Sequence, residues 1–162
     1  MIDGLFLLLG SNLGDKELVL TEACDRISKA IGPISRKSSL YSTSAWGKTD
    51  QPDFLNQVIQ VSTALSAREV LMHILQIEKD MGRIRQEKWG ARIIDIDILY
   101  YNDLVLEEGD LSIPHPGIPG RRFTLVPLAE IAATFIHPTI KLNQIELLDQ
   151  CPDQLPVTKV EH

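Results

Sequence analysis

The chain has 162 residues and a formal net charge of −6, from 16 Lys and Arg against 22 Asp and Glu. That length suits one domain with a sizeable core. The acidic balance argues against nonspecific nucleic-acid binding, which rests on basic surface. Cys24 and Cys151 have neither metal-ligand spacing nor disulfide density. No repeat, linker or low-complexity stretch divides the sequence, so a single domain over 1–162 is expected, its core about 4–135 and its tail loosely held from about 152.

Leu5 to Leu9 is a short apolar run closed by Gly10-Ser-Asn-Leu-Gly14. It reads as a strand buried on both faces. It is too short to span a bilayer and has no basic leader, so a cytoplasmic protein away from membranes is expected. The glycines mark a strand-to-helix turn; they have neither the Lys of a P-loop nor dinucleotide-loop spacing. Asp15 caps a helix to about Ile31, with Val19, Ala23, Cys24, Ile27, Ala30 and Ile31 as its apolar stripe. Gly32-Pro33 ends it. A strand is predicted over Ile34 to Ser42, then a polar loop over Ser44 to Asp53, then a strand from Phe54 to about Leu65. The loop is short, so the two strands pair antiparallel.

Ser66-Ala-Arg-Glu69 is a capping box. It opens a helix with its stripe at Val70, Ile74, Ile77 and Met81, closed by Gly82. The segment 83–92 contributes Arg83, Arg85, Lys88 and Arg92, and leads into a strand from about Ile93 to Tyr101. Side chains on a strand alternate faces. Ile94, Ile96, Ile98 and Tyr100 are expected to enter the core, and Asp95 and Asp97 to face the other way together. Two adjacent carboxylates repel and need something positive over them. Mg²⁺ is commonly held by one or two carboxylates plus substrate phosphates. Carboxylates beside a cluster of cations suit phosphoryl transfer. Two acids on the exposed face of an edge strand would be the bland alternative.

The first hundred residues thus read β-α-β-β-α-β, the split βαβ or ferredoxin-like motif of an α+β protein. It carries helices packed on a mostly antiparallel sheet. A small hairpin from Leu104–Leu106 and Leu111–Ile113 follows, then a proline-rich loop to Gly120. Helical stretches begin at Arg121 and at Leu142.

Several segments carry a resemblance. They are Leu9-Gly-Ser-Asn-Leu-Gly-Asp15, Tyr41-Ser-Thr43, Gln51-Pro-Asp-Phe-Leu-Asn56 and Ile77-Glu78. Gly82-Arg-Ile-Arg85, Lys88-Trp-Gly-Ala-Arg92 with Asp95-Ile-Asp97, Pro114-His-Pro116 and Arg121-Arg-Phe123 follow. In this order the chain resembles the 6-hydroxymethyl-7,8-dihydropterin pyrophosphokinase family over roughly residues 5 to 135. That family transfers the β,γ-pyrophosphate of ATP to the pterin hydroxymethyl group and releases AMP, in folate biosynthesis.

The resemblance implies that Asp95 and Asp97 hold two Mg²⁺ ions. It makes Arg83 and Arg92 phosphate clamps. It places Glu78, Arg83, Trp89, Arg92, Ile98, Ser112, His115 and Arg121 on the ATP side. Thr43, Ser44, Trp46, Phe54, Asn56, Asp95 and Phe123 fall on the pterin side, with Phe54 and Phe123 stacking on the ring. Segments 44–53 and 83–92 match two lids that close over the substrates, Trp89 sealing one. ATP and the pterin are the expected partners, no nucleic acid is involved, and a monomer is expected. Ala45 stands where the family usually has proline, Trp46 where a smaller apolar residue is common, and Leu75 where some relatives have glutamine. An RNA-binding sheet module and a two-metal hydrolase compete with this reading. The acids on the strand count against the first, and no evident base for water supports the second.

Overall fold

The structure is a computed structural model that describes residues 1–43, 52–82 and 93–161. Its main sheet is built from β1 (Ile2–Ser11), β2 (Ile34–Lys37), β3 (Tyr41–Thr43), β4 (Phe54–Thr63), β5 (Asp95–Tyr101) and β8 (Thr158–Lys159). The order is β5-β1-β4-β3-β8, with β2 also paired to β4. The sheet pairings are antiparallel. Helices α1 (Lys16–Ala30) and α2 (Ala67–Gly82) supply the two crossovers of the expected βαββαβ core. A hairpin of β6 (Leu106–Glu108) and β7 (Leu111–Ile113), then α3 (Arg122–Ala132) and α4 (Gln144–Asp149), complete the chain.

Both faces of β1 are buried. Leu5, Leu7 and Leu9 belong to the core under α1 and α2, with Ile27, Val70, Ile74 and Ile96. Phe6 and Leu8 belong to a second core under α3 and α4, with Val58, Leu125, Leu128 and Leu147. A strand covered on both sides must be apolar throughout, which is why its sequence lacks alternation. The helix starts follow their local chemistry. Asp15 accepts the Leu18 N–H, and Ser66 and Glu69 form the reciprocal capping box. Gly14, in the turn from β1 into α1, lies at φ +70°, a conformation that suits glycine. Among the described residues no helix is long and apolar enough to cross a membrane.

Three expectations are corrected. Tyr100 does not share a side with Ile98. Leu7 pairs with Ile98 but Phe6 with Tyr100, so Leu99 is an extra residue opposite a single step of β1. This bulge resets the alternation and places Tyr100 with Phe6 in the second core. The strand expected over Ile34 to Ser42 is two strands. Ser38 exchanges bonds with Val58 through both its backbone and its hydroxyl, and its carbonyl accepts Gln57 Nε2, interrupting the ladder. The tail from 152 is not loose. Thr158 and Lys159 pair with Ser42 and Tyr41, and Val160 donates to the Leu40 carbonyl.

The sheet leaves β5 at one edge. Beyond that edge stands the β6–β7 hairpin. Arg68 near the start of α2 holds it by donating to both Glu108 and Asp110 at 2.8 Å.

Candidate active site

At the Asp95 end of β5, on the α3 face of the sheet, a cavity of about 160 Å³ opens. Leu8 and Gly10 of β1, Thr43 of β3, Phe54 and Asn56 of β4, and Asp95 and Asp97 of β5 line it, with Arg121 and Phe123 at the start of α3. Gly10 pairs with Asn56 on one side and Asp95 on the other. A Cβ at Gly10 would lie 2.8 Å from Asn56 Oδ1. The glycine therefore keeps room for a buried amide at the cavity floor. Asn56 Nδ2 donates to Thr43 Oγ1 at 3.2 Å, which fixes the amide's orientation. The Arg121 guanidinium sits 5.8 Å from the Phe123 ring centre. It also packs on Gly117, where a Cβ would be 2.7 Å from its Nε.

A second cavity, of about 250 Å³, lies beyond the edge of β5. Ile96, Asp97 and Ile98 form one wall, Gly109 to Ser112 another, and Leu71, His115 and Pro116 the rest. Asp97 lines both cavities. His115 is held to β5 by its N–H bond to the Leu99 carbonyl. Its Nδ1 accepts the Gly117 N–H at 2.9 Å. Burial pushes the imidazole below its usual range, the Asp97 carboxylate pulls it up, and the Arg121 charge pushes it down again. A neutral ring with Nδ1 occupied as acceptor carries its proton on Nε2.

The structure brings Thr43, Phe54, Asn56, Asp95 and Phe123 together in the first cavity. Ile98, Ser112 and His115 meet in the second. Arg121, expected on the ATP side, lines the first cavity. Glu78 lines neither: its Oε2 accepts the Ile96 N–H at 2.8 Å. Ser44, Trp46, Arg83, Trp89 and Arg92 lie outside the described residues, as do most of the two expected lids. The edges of those segments are anchored. Asn12 Nδ2 donates to the Pro52 carbonyl and Lys16 Nζ to the Asp53 carbonyl. Gly82 packs on Ile93, whose Cδ1 would stand 2.6 Å from an added Cβ.

Leu8, Leu71 and the hairpin residues Gly109 to Leu111 escaped the sequence reading, and nothing local marks them as site residues. Gly10 carried a signal, since glycine inside an apolar strand points to a close approach.

Among the described residues no three or more His, Cys, Asp or Glu gather as a metal cage. The donors present are the paired carboxylates of Asp95 and Asp97. Mg²⁺ suits such a set, because it takes one or two carboxylates and completes its shell with phosphates and water.

Fold and site together define an α+β protein with two adjoining cavities that share one carboxylate. A family model described as 7,8-dihydro-6-hydroxymethylpterin-pyrophosphokinase matches residues 6–133. The chain belongs to this family, whose members carry pyrophosphate from ATP to hydroxymethyldihydropterin in folate synthesis. It is 41% identical over 133 residues to the 2-amino-4-hydroxy-6-hydroxymethyldihydropteridine pyrophosphokinase of Aquifex aeolicus, covering 82% of each chain. The Haemophilus influenzae protein of the same name is 36% identical over 149 residues, covering 91% of this chain and 92% of that one. A folic acid synthesis protein of Dictyostelium discoideum is 43% identical over 138 residues; the match covers 85% of this chain and 21% of that longer one. Among solved structures, Plasmodium falciparum HPPK-DHPS with pteroate aligns at TM-score 0.76 and 18% identity. That alignment covers 93% of this chain and 44% of the other, and shows the shared fold.

Proposed function

We propose that the first cavity holds 6-hydroxymethyl-7,8-dihydropterin, the second holds ATP, and pyrophosphate passes between them at Asp97, leaving AMP. The carrying observation is that Asp97 lines both cavities while the neighbouring residues separate. Asp95 lines the first and Ile96 and Ile98 the second. A reaction that joins a group from one ligand to an atom of another needs such a junction.

The pterin ring is flat, with donors and acceptors on its rim. Phe54 and Phe123 offer it aromatic faces, and the Asn56 amide, oriented by Thr43, reads its edge. Asp95 accepts the hydrogen bond of the hydroxymethyl group and aims its oxygen at the β-phosphorus. The new bond forms from that oxygen as its O–H bond breaks and the proton is released to solvent by way of Asp95, and the bond from the β-phosphorus to the oxygen carried off by AMP breaks. On the nucleotide side His115, neutral and protonated at Nε2, is a donor suited to a phosphate oxygen. Arg83 and Arg92 belong here as phosphate clamps by their family match, since a planar guanidinium meets phosphate oxygens in pairs.

Mg²⁺ would be held by Asp95 and Asp97, and when bound it offsets phosphate charge and aligns the reacting groups. A cytoplasmic location is part of the proposal, supported by Cys24 and Cys151 being free thiols.

The alternative of an open RNA-binding sheet loses its surface, because α1 and α2 cover one face and α3 and α4 the other. Titration with the pterin and with a nonhydrolysable ATP analogue, each alone and then together, tests the assignment. Saturable binding of both at once is expected. Mutual exclusion would mean that the two cavities serve one ligand.

A further inference from the structure

The C-terminal segment lies beyond the family match at 6–133, yet it bonds to the backbone next to residues on two walls of the first cavity. The N-terminus of α3 has no local cap. Arg121 holds the cap position and its side chain makes no capping bond; a guanidinium has only donors. The first-turn N–H groups of a helix still need acceptors. Asp153 supplies one from 31 residues away. Its Oδ2 accepts the Arg122 N–H at 3.0 Å, and its Oδ1 accepts the Leu155 N–H at 3.0 Å. The carboxylate also sits at the positive end of the helix dipole. On either side of the capped N–H stand Arg121 and Phe123, both cavity residues. Five residues on, the same segment joins the sheet. Thr158 and Lys159 pair with Ser42 and Tyr41, beside Thr43 on the opposite wall.

We propose that Asp153 is a positioning residue for the pterin-side cavity, the fixed point of a C-terminal strap that holds the Phe123 wall against the Thr43 wall. This rests on the pterin occupying that cavity. The physical content is that α3 has no side-chain cap of its own, although the Arg121 carbonyl accepts the Thr124 and Leu125 N–H groups, so the acceptor for the Arg122 N–H comes from the strap. Two of the residues that define the cavity mouth therefore depend on a carboxylate outside the core sequence of the family. The strap runs from that cap to the strand leading into the other wall, so one short segment sets both.

The test compares Asp153→Ala and Asp153→Asn with the unaltered protein. Titrations with 6-hydroxymethylpterin and with a nonhydrolysable ATP analogue report the two cavities. Amide exchange at residues 122–125 reports the helix start without any ligand. For Asp153→Ala, pterin affinity is expected to fall roughly fivefold, the ratio that a lost cap of ordinary strength produces. Analogue affinity should hold, and exchange at 122–125 should quicken. Asn caps about as well as Asp but has one acceptor oxygen where the carboxylate uses two, so Asp153→Asn should recover only part of both effects. Unchanged pterin affinity with unchanged exchange overturns the inference. So does an equal loss of both ligands, which would make Asp153 a general stabiliser. If the unaltered protein binds no pterin, the proposed function fails, and the exchange comparison decides the capping role alone: no quickening overturns it.

Discussion

The Glu78 carboxylate on α2 accepts the backbone N–H of Ile96 on β5 at 2.8 Å. Ile96 stands between Asp95 and Asp97, on the outer edge of the sheet. An edge strand presents N–H groups that no neighbouring strand can take. Glu78 takes this one, and so fixes the backbone at the point where both aspartates leave it. Glu78 is therefore expected to bear on the chemistry through the backbone of β5.

Glu78→Ala should cost about 1.5–3 kcal/mol of stability, the range for a hydrogen bond to a charged group. Pyrophosphate transfer should fall with it. Glu78→Gln keeps an acceptor and should retain most of the stability. Urea denaturation of the three proteins checks the first claim and AMP formation the second. Equal midpoints for all three would show that the bond does not hold the strand.

At Gly10 a single added methyl group would reach the site floor. Gly10→Ala would set a Cβ 2.8 Å from Asn56 Oδ1. The amide must then turn away from Thr43, or β1 and β4 must part. Either route should weaken pterin binding, at a stability cost of about 1–3 kcal/mol for overpacking. Calorimetric titration with pterin and with ATP analogue separates the effects, since nucleotide binding should be spared.

Phe123 tests the aromatic wall. Phe123→Ala should weaken pterin binding by about 1–3 kcal/mol, on the scale of base–aromatic stacking. If nucleotide affinity drops by the same amount, Phe123 serves the second core, against which it also packs.

Stability should decline on the acid side in two stages. His137 is buried, and burial pushes its imidazole below the usual range. Its Nδ1 accepts the Thr139 and Ile140 N–H groups at 3.3 and 3.1 Å. With its folded value depressed, the neutral form is the one folding favours. That stability is whole above about pH 6.5 and is lost as pH falls through the folded value. Glu130 acts lower. Burial raises its carboxyl, but hydrogen bonds from the Ser39 N–H, the Ser39 hydroxyl and the Tyr41 hydroxyl, with the Lys159 charge, outweigh burial and hold it below the usual range. Its contribution is present above about pH 4.3 and disappears as pH falls further. Denaturation midpoints taken from pH 8 downward check both. His137→Asn, which keeps an acceptor and cannot charge, should shrink the first stage, leaving the share of His115, which burial also depresses, and should leave the second stage unchanged.

Local chemistry made the core legible. The capping box at Ser66, the cap at Asp15 and the uniform apolar run of β1 each have a local cause, and the βαββαβ order followed from them. The paired aspartates were legible because a strand alternates. That same rule failed three residues later, at Tyr100, because the bulge at Leu99 depends on how β1 pairs with β5. Nothing in the sequence of β5 announces it. The tail misled for a related reason. Its few apolar residues build no core of their own, and the partners that order it, the Arg122 N–H and the edge of β3, are distant in sequence. Likewise, the second cavity depends on where the β6–β7 hairpin stands. Arg68 sets that through two acids some forty residues downstream.

The most direct test of the junction at Asp97 is nucleotide product analysis with ATP, pterin and Mg²⁺ together, and with each omitted in turn. Pyrophosphate transfer requires AMP in step with pterin diphosphate, and none when the pterin or the metal is left out. Asp97→Asn keeps the side-chain shape and removes a ligand charge, so it should abolish most of that AMP while the protein stays folded. ADP as the product, AMP formed without pterin, or near-normal turnover of Asp97→Asn with unchanged Mg²⁺ dependence would contradict the assignment.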